Sequence, residues 1–199
     1  NDLAALQAGS QGRVRLLATP SALAEALLDD VAAFMREAAN AQIRVDLDEV
    51  LTRDVVRALR DGSNALGVCW DNADFAGLLC LPWRQDHLAI AVHPEHALAG
   101  RKSLRFEQTL AFDHVSLPPS SAVQVLLHRM AARAGGRIQH RAVVSNFDAA
   151  FRAVGANLAI SVIPLEIGQR LAAVSGVRVI PLSDAWATRQ FVICCRDEA

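Results

Sequence analysis

Short runs of apolar residues alternate along this chain with longer stretches in which apolar residues recur every three or four positions. The run 88–92 is continuously apolar, as is typical of a strand covered on both faces. In 22–38, apolar residues such as Leu23 and Leu27 instead repeat with helical spacing. Alternation of this kind predicts an α/β fold with mostly parallel sheets and helices outside them.

Ten strands and five helices are predicted in this way. The predicted strands are 13–18, 43–48, 65–70, 77–81, 87–93, 114–117, 141–144, 158–163, 177–181 and 190–195. The predicted helices are 22–38, 53–60, 122–134, 147–154 and 165–173.

Two places favour a chain that crosses between two lobes. One is 81–85, between two strand runs, and the other is 163–164, where a strand meets a proline suited to the first turn of a helix. The first lobe then consists of 13–84 and 164–199, and the second lobe is the continuous segment 85–163.

Composition and charge exclude several classes of protein. The 199 residues are 52% hydrophobic and 21% charged, which indicates a folded chain. The formal net charge is −1 and the basic residues are scattered, so this segment has no basic face for nucleic acid. No apolar run approaches the roughly 18–20 residues that cross a bilayer. The four cysteines form no CxxC pair, and we interpret them as reduced thiols of a cytoplasmic protein.

Small polar residues mark four junctions between a predicted strand and the next helix. Each hydroxyl or amide there is expected to cap its helix, and the positive helix end favours an anionic or carbonyl-bearing ligand. Such junctions lie at the carboxyl ends of parallel strands, where α/β proteins bind ligands. A single serine before a helix is usually a plain cap, but two of the junctions carry more polar residues than capping requires. The junctions are Thr19-Pro20-Ser21, Leu51-Thr52, Pro118-Pro119-Ser120-Ser121 and Ser145-Asn146.

Other chemistry finds less support. His93 and His96 lack the cysteine or carboxylate cluster that completes a metal site, so no metal is expected. No GxSxG, Walker or GxGxxG pattern appears, and no cofactor is expected. Trp83, at the first crossing, is a candidate for the wall of a cleft, with core packing as the alternative.

Taken in order, these segments resemble the effector-binding domain of LysR-type transcriptional regulators from Gly12 onward. The resemblance depends on the order and spacing of several short motifs more than on any one of them. The motifs are Gly12-Arg13-Val14-Arg15-Leu16 followed by 18–22, 45–49 followed by Thr52 and 55–62, His93-Pro94-Glu95-His96-Ala97-Leu98, Phe151-Arg152-Ala153-Val154-Gly155 and Ala159-Ile160-Ser161-Val162-Ile163-Pro164. Two positions depart from the usual pattern, namely Ala65 and Asn157.

The resemblance implies two Rossmann-like lobes of periplasmic-binding-protein type II, two crossover strands, and an effector in the cleft between the lobes. It also implies where the ligand contacts fall, and we add Trp83 to them on its position. These residues are Pro20, Ser21, Ala22, Thr52, Trp83, Ser120, Ser121, Ser145, Asn146, Phe147, Val162 and Ile163.

The resemblance also implies partners. We expect a homodimer or homotetramer, in which helix 22–38 packs near helix 122–134 of a second copy. DNA contact is expected only through an N-terminal helix-turn-helix that is missing from this sequence, and 1–12 resembles the remnant of the linker to it.

The sequence therefore predicts a non-enzymatic, cytoplasmic sensor of a small, carboxylate-bearing metabolite. One alternative is a periplasmic solute-binding protein that feeds a transporter, which has the same fold. The other is an enzyme on this fold, which predicts titratable groups converging in the cleft. The sequence does not specify the effector, the target genes, or whether the regulator activates or represses.

Overall fold

The chain passes twice between two compact units, within two of its longest strands. The computed structural model describes residues 12–24 and 26–196. Unit 1 comprises the described residues up to Trp83 together with those from Phe191 onward, and unit 2 is Arg84–Gln190. The passages lie in β4 (Leu78–Val92) and β9 (Thr188–Arg196). The predicted linker 1–12 lies outside the described residues except for Gly12.

The second passage does not fall where the sequence placed it. We assigned 164–190 to the first lobe, whereas this segment belongs to unit 2. The reason is strand pairing: β7 (Ser161–Pro164) and β8 (Arg178–Pro181) both pair antiparallel with the second half of β4. Pro164 is the N-cap of a helix and does not mark a crossing.

The elements of unit 1 are β1 (Arg13–Ala18), α1 (Pro20–Ala24), α2 (Leu27–Arg36), the 3-10 turn Ala38–Asn40, β2 (Arg44–Glu49), α3 (Thr52–Arg60) and β3 (Leu66–Trp70), together with its parts of β4 and β9. Its sheet has the strand order β2-β1-β3-β9. β1 runs parallel to β2 and β3, and β9 runs antiparallel to β3. The predicted helix 22–38 is two helices, because the backbone at Ala26 leaves helical geometry.

The core of unit 1 forms where α3 packs on the sheet. Val55 and Leu59 lie on one face of α3, one helical turn apart, and both are fully buried. They belong to a cluster with Cys69 of β3 and Cys194 of β9. A side chain at Gly67 of β3 would overlap Val55, so this glycine allows the helix to approach the strand closely.

The further elements of unit 2 are the 3-10 turn Phe106–Thr109, β5 (Asp113–Ser116), α4 (Ala122–Arg133), β6 (Gln139–Val143), α5 (Phe147–Gly155), α6 (Leu165–Ser175) and the 3-10 turn Ala185–Ala187. β5 and β6 pair in parallel, whereas β4 pairs with β7 and β8. β5 also bonds to the residue just before β7, since the Val115 N–H donates to the Ile160 carbonyl at 2.8 Å. Within 12–24 and 26–196, no helix is long and apolar enough to cross a membrane.

A buried ion pair joins the two crossing strands within unit 2. Arg189 of β9 donates through Nε to Oδ1 of Asp86 in β4 at 2.8 Å, and through Nη2 to Oδ2 of the same carboxylate. Arg189 is 1% exposed and Asp86 5% exposed. A buried charge is tolerated only with an opposite charge and matching hydrogen bonds, which this two-point contact supplies.

We expect Asp86→Ala to lower the free energy of unfolding by about 3–5 kcal/mol, because the guanidinium stays buried without its carboxylate. Urea unfolding followed by circular dichroism measures this. The matched control is Asp48→Ala, which removes the exposed Arg15–Asp48 pair and is expected to cost about 1 kcal/mol or less. Equal losses in the two variants would contradict the assignment of Asp86–Arg189 as a stabilising contact.

Candidate functional site

In unit 1 the carboxyl ends of three strands lie at one edge of the sheet, because β1 is parallel to both of its neighbours. Ala18, the last residue of β1, is in register with Glu49 of β2 and Val68 of β3. Backbone bonds continue past the strands: the Val50 N–H donates to the Ala18 carbonyl at 2.9 Å, and the Thr19 N–H to the Val68 carbonyl at 3.1 Å. Helices α1 and α3 begin directly after these residues, so both start at this edge.

The start of α1 is mostly covered. Ser21 and Ala22 are buried, and Pro20 is half-buried. Of these three residues that the sequence proposed as ligand contacts, Pro20 is therefore the most accessible.

Helix α3 begins without a side-chain cap. Its N-cap is Leu51, which has no polar side-chain atom, and Thr52 is the first helical residue. The prediction that a hydroxyl caps this helix is therefore wrong, since the hydroxyl comes one residue too late. The Oγ1 atom of Thr52 is buried and has no hydrogen-bond partner among the described residues. An unsatisfied buried hydroxyl costs about 1–3 kcal/mol, so a group that bonds to it gains free energy.

Trp83 is held by contacts inside unit 1. Its indole Nε1–H donates to Oδ2 of Asp30 on α2 at 2.8 Å. Its ring meets Phe191 edge-on, with the ring centroids 6.4 Å apart. These contacts join β4 to α2 and β9, and they agree with the alternative that Trp83 packs in the core.

In unit 2 the carboxyl ends of β5, β6 and β7 also share one edge. Ser116 ends β5 in register with Val143 of β6, and the Val144 N–H donates to the Ser116 carbonyl at 2.9 Å. An isolated parallel bridge between His114 and Ile160 sets β7 in the same direction as β5. Helices α4 and α5 begin just beyond this edge.

Both of these helices are capped by the residues that the sequence singled out. The Ser121 hydroxyl oxygen accepts a hydrogen bond from the Gln124 N–H at 3.3 Å, at the start of α4. The Asn146 Oδ1 accepts from the Ala149 N–H at 2.8 Å, at the start of α5. Because capping uses acceptor atoms, the Ser121 O–H and the Asn146 amide N–H groups remain donors for a ligand.

The other proposed contacts in unit 2 divide by burial. Ser120 and Ser145 are exposed beside the two caps. Phe147, Val162 and Ile163 are buried, the last two in β7, where they pair with β4. The exposed serines add donors at this edge, whereas the three apolar side chains pack within unit 2.

Two histidines next to this edge have perturbed protonation. His114 in β5 is 2% exposed, and its Nδ1–H donates to the Phe112 carbonyl at 2.9 Å. Burial lowers the pKa of His114 to about 4. His140 of β6 lies with Nδ1 2.8 Å from the Ser116 hydroxyl, and burial followed by the nearby His128 lowers its pKa as well.

Sequence reasoning missed a cavity of about 560 Å³ in unit 1. It lies at the amino ends of β1 and β3, which is the opposite edge from the helix starts. Arg13 and Arg15 line it but are paired with Asp46 and Asp48. The sequence does contain a pattern that could have indicated this surface. Arginines alternate with apolar residues in β1, and aspartates do so in the adjacent parallel strand β2. The polar lining consists of Arg13, Arg15, Ser63, Asn64 and Arg196.

The described part of the chain contains no group of three or more His, Cys, Asp or Glu side chains arranged to hold a metal ion.

The family profile described as the LysR substrate binding domain matches residues 7–199. This chain belongs to the LysR substrate-binding domain family. The α/β class and the type II periplasmic-binding-like fold that the sequence predicted are thereby confirmed. No curated protein matches the chain.

Solved structures agree on the fold. The effector-binding domain of QuiR in complex with shikimate is 17% identical, with a TM-score of 0.78 over 96% of this chain and 90% of that one. The BenM effector-binding domain with its effector benzoate is 18% identical, with a TM-score of 0.76 over 94% and 85%. Full-length CbnR complexed with its target DNA is 18% identical, with a TM-score of 0.76; the match covers all of this chain and 68% of CbnR.

His114 predicts a pH dependence of stability in this LysR-family domain. Its folded pKa of about 4 lies below the ordinary value of 6.5, so the neutral form is favoured by folding. Its contribution is complete above pH 6.5 and is lost as the pH falls toward 4. Between pH 7 and 4.5 the free energy of unfolding should fall by roughly 2–3 kcal/mol more in the natural chain than in His114→Gln. Urea titrations at both pH values measure this, with the exposed His128→Gln as control; the same acid sensitivity in all three proteins would refute it.

Proposed function

We propose that this chain is the effector-binding domain of a LysR-type transcriptional regulator and that its effector is a small carboxylate-bearing molecule. The family match over residues 7–199 carries the first part. Relatives of the same fold bind shikimate and benzoate, both of which are carboxylates, and this supports the second. The ligand chemistry is supported further by the polar groups at the two strand edges.

In unit 1, the start of α3 has the features that best fit an anionic ligand. The helix is nine residues long, and its first-turn N–H groups and positive dipole end attract an anion. Thr52 adds a buried hydroxyl that has no acceptor in the described residues. A carboxylate oxygen is an acceptor without a donor, so it matches both features. We assign Thr52 as the leading ligand contact of unit 1.

Unit 2 supplies donors of the same kind. Ser121 and Asn146 cap their helices with acceptor atoms and retain donor hydrogens. Ser120 and Ser145 are exposed beside them. We assign these four residues as the polar ligand contacts of unit 2.

The enzyme alternative has one arrangement in its favour, the contact between Ser116 and His140. A serine nucleophile needs an accessible hydroxyl and a histidine oriented by a third group. Ser116 is buried, and the described residues place no carboxylate in hydrogen bond with His140. We therefore propose a sensor and not an enzyme, with Ser116–His140 as a structural contact between β5 and β6.

The proposed regulator works in the cytoplasm as an oligomer, and its DNA contacts come from a segment outside this sequence. The net charge of −1 supports the proposal that this domain does not itself contact DNA. Leu28, Phe34 and Met35 are large exposed apolar residues of α2, and Val125 is one of α4. Exposed apolar side chains on these helices support the packing of α2 near α4 of a second copy.

A thermal-shift titration with small acids tests the function. Because a ligand that binds only the folded state raises the apparent Tm, shikimate, benzoate and further small carboxylates are compared with their uncharged amides. We expect at least one carboxylate to raise the Tm and its amide to raise it less. The proposal of a carboxylate effector fails if amides and carboxylates act alike. A solute-binding protein would instead be indicated by a secretion signal in the complete gene.

Thr52→Val separates a ligand contact from a structural one. It keeps the shape of the side chain and removes the hydroxyl, so the unliganded protein should be as stable as before or more stable by about 1 kcal/mol. The affinity for the carboxylate found above should fall about tenfold. Thr109→Val is the control, since the Thr109 hydroxyl donates to the Phe106 carbonyl and its loss should reduce stability alone. A stability loss in Thr52→Val with unchanged affinity would contradict the assignment.

A further inference from the structure

Three cysteine thiols lie together in the core of unit 1. The Sγ atoms of Cys80 and Cys194 are 2.8 Å apart, and Cys69 also contacts Cys194. Cys69 lies on β3, Cys80 on β4 and Cys194 on β9. We propose that Cys80 and Cys194 form an oxidation site, at which a hydroperoxide converts the two thiols into a reversible disulfide between β4 and β9.

The strands bring these two cysteines opposite each other. β9 and β4 are neighbours in the strand order. Cys80 contacts Cys194, and Trp83, three residues further along β4, contacts Phe191, three residues back along β9. Contacts that advance along one strand and retreat along the other are those of an antiparallel pair. Directly opposed residues of such a pair have their Cβ atoms about 4.5–5.5 Å apart, close to the 3.5–4.5 Å of a disulfide.

Burial assigns different roles to the two thiols. Cys194 is fully buried, whereas Cys80 is half-buried, so Cys80 is the thiol that meets a solute first. Burial and the contact with Cys194 raise the pKa of Cys80 to about 12. Because the thiolate is the nucleophile, oxidation is slow at neutral pH and accelerates about tenfold for each pH unit.

The reaction balances with hydrogen peroxide as the oxidant. The Cys80 thiolate attacks one peroxide oxygen, the O–O bond breaks, and the leaving hydroxide takes up a proton to give water and a Cys80 sulfenic acid. The Cys194 sulfur then attacks the Cys80 sulfur and loses its proton, and the S–O bond breaks to release a second water. Two thiols are oxidised to one disulfide and one peroxide is reduced to two waters. The second step is intramolecular between touching groups, which favours it strongly over attack by a solute thiol.

The disulfide would link the two strands that carry the chain between the units, and it would close a loop that contains all of unit 2. A covalent link restricts the unfolded chain, so the oxidised protein should melt at a higher temperature than the reduced one.

The test is oxidation of the whole chain with hydrogen peroxide, followed by denaturation and alkylation of the remaining thiols. Mass spectrometry should count two alkylated cysteines after oxidation and four after subsequent reduction with dithiothreitol. A peptide map should contain Cys80 joined to Cys194. The rate should rise about tenfold between pH 7 and pH 8.

Two variants make the test specific. Cys195→Ser removes the neighbouring half-buried thiol and should still form the link. Cys80→Ser should keep its three remaining cysteines alkylatable and should show the same Tm with and without peroxide. Four alkylatable cysteines in the oxidised natural chain would overturn the proposal. A map that joins Cys69 to Cys194 would overturn it too, and neither result depends on how a variant folds.

Discussion

The buried pair of Asp86 and Arg189 is the contact on which the alignment of β4 with β9 inside unit 2 depends. Both residues stand within a few positions of the places where β4 and β9 pass from one unit to the other. Because an unmatched buried charge is costly, the two strands are held where carboxylate and guanidinium meet at two points. β4 then continues as the strand on which β7 and β8 pair, and β9 continues as the partner of β3. The pair therefore fixes the two strands against each other inside unit 2.

The direction of the strands determines where the candidate ligand contacts lie. In each unit, parallel strands end at the same edge, and the helices that follow begin there. The helix starts at the two edges differ in whether a side chain caps them. Ser121 and Asn146 satisfy their own helices and offer their spare donors, whereas Thr52 leaves a buried hydroxyl and an uncapped helix start. The unpartnered hydroxyl of Thr52 has a local free-energy cost, and we propose that an anionic ligand relieves it.

The sequence predicted what depends on local pattern, including the α/β class, the family and the caps at Ser121 and Asn146. The predicted cap at Thr52 was wrong, because a shift of one residue in the start of α3 decides whether Thr52 is the N-cap or the first helical residue. It also missed contacts between distant positions. Asp86 and Arg189 are 103 residues apart, and nothing local marks them as partners. The second passage was misplaced for the same reason, since Pro164 signals a helix start but not which strand β7 pairs with.

Amide chemical shifts map a bound carboxylate onto the protein without assuming its position. In a titration with the carboxylate that raises the Tm most, we expect the largest perturbations at the helix starts, in 51–53, 120–122 and 145–147, and little change around Arg13, Asn64 and Arg196. Perturbations confined to the cavity lined by those three residues would show that the helix starts do not bind the ligand.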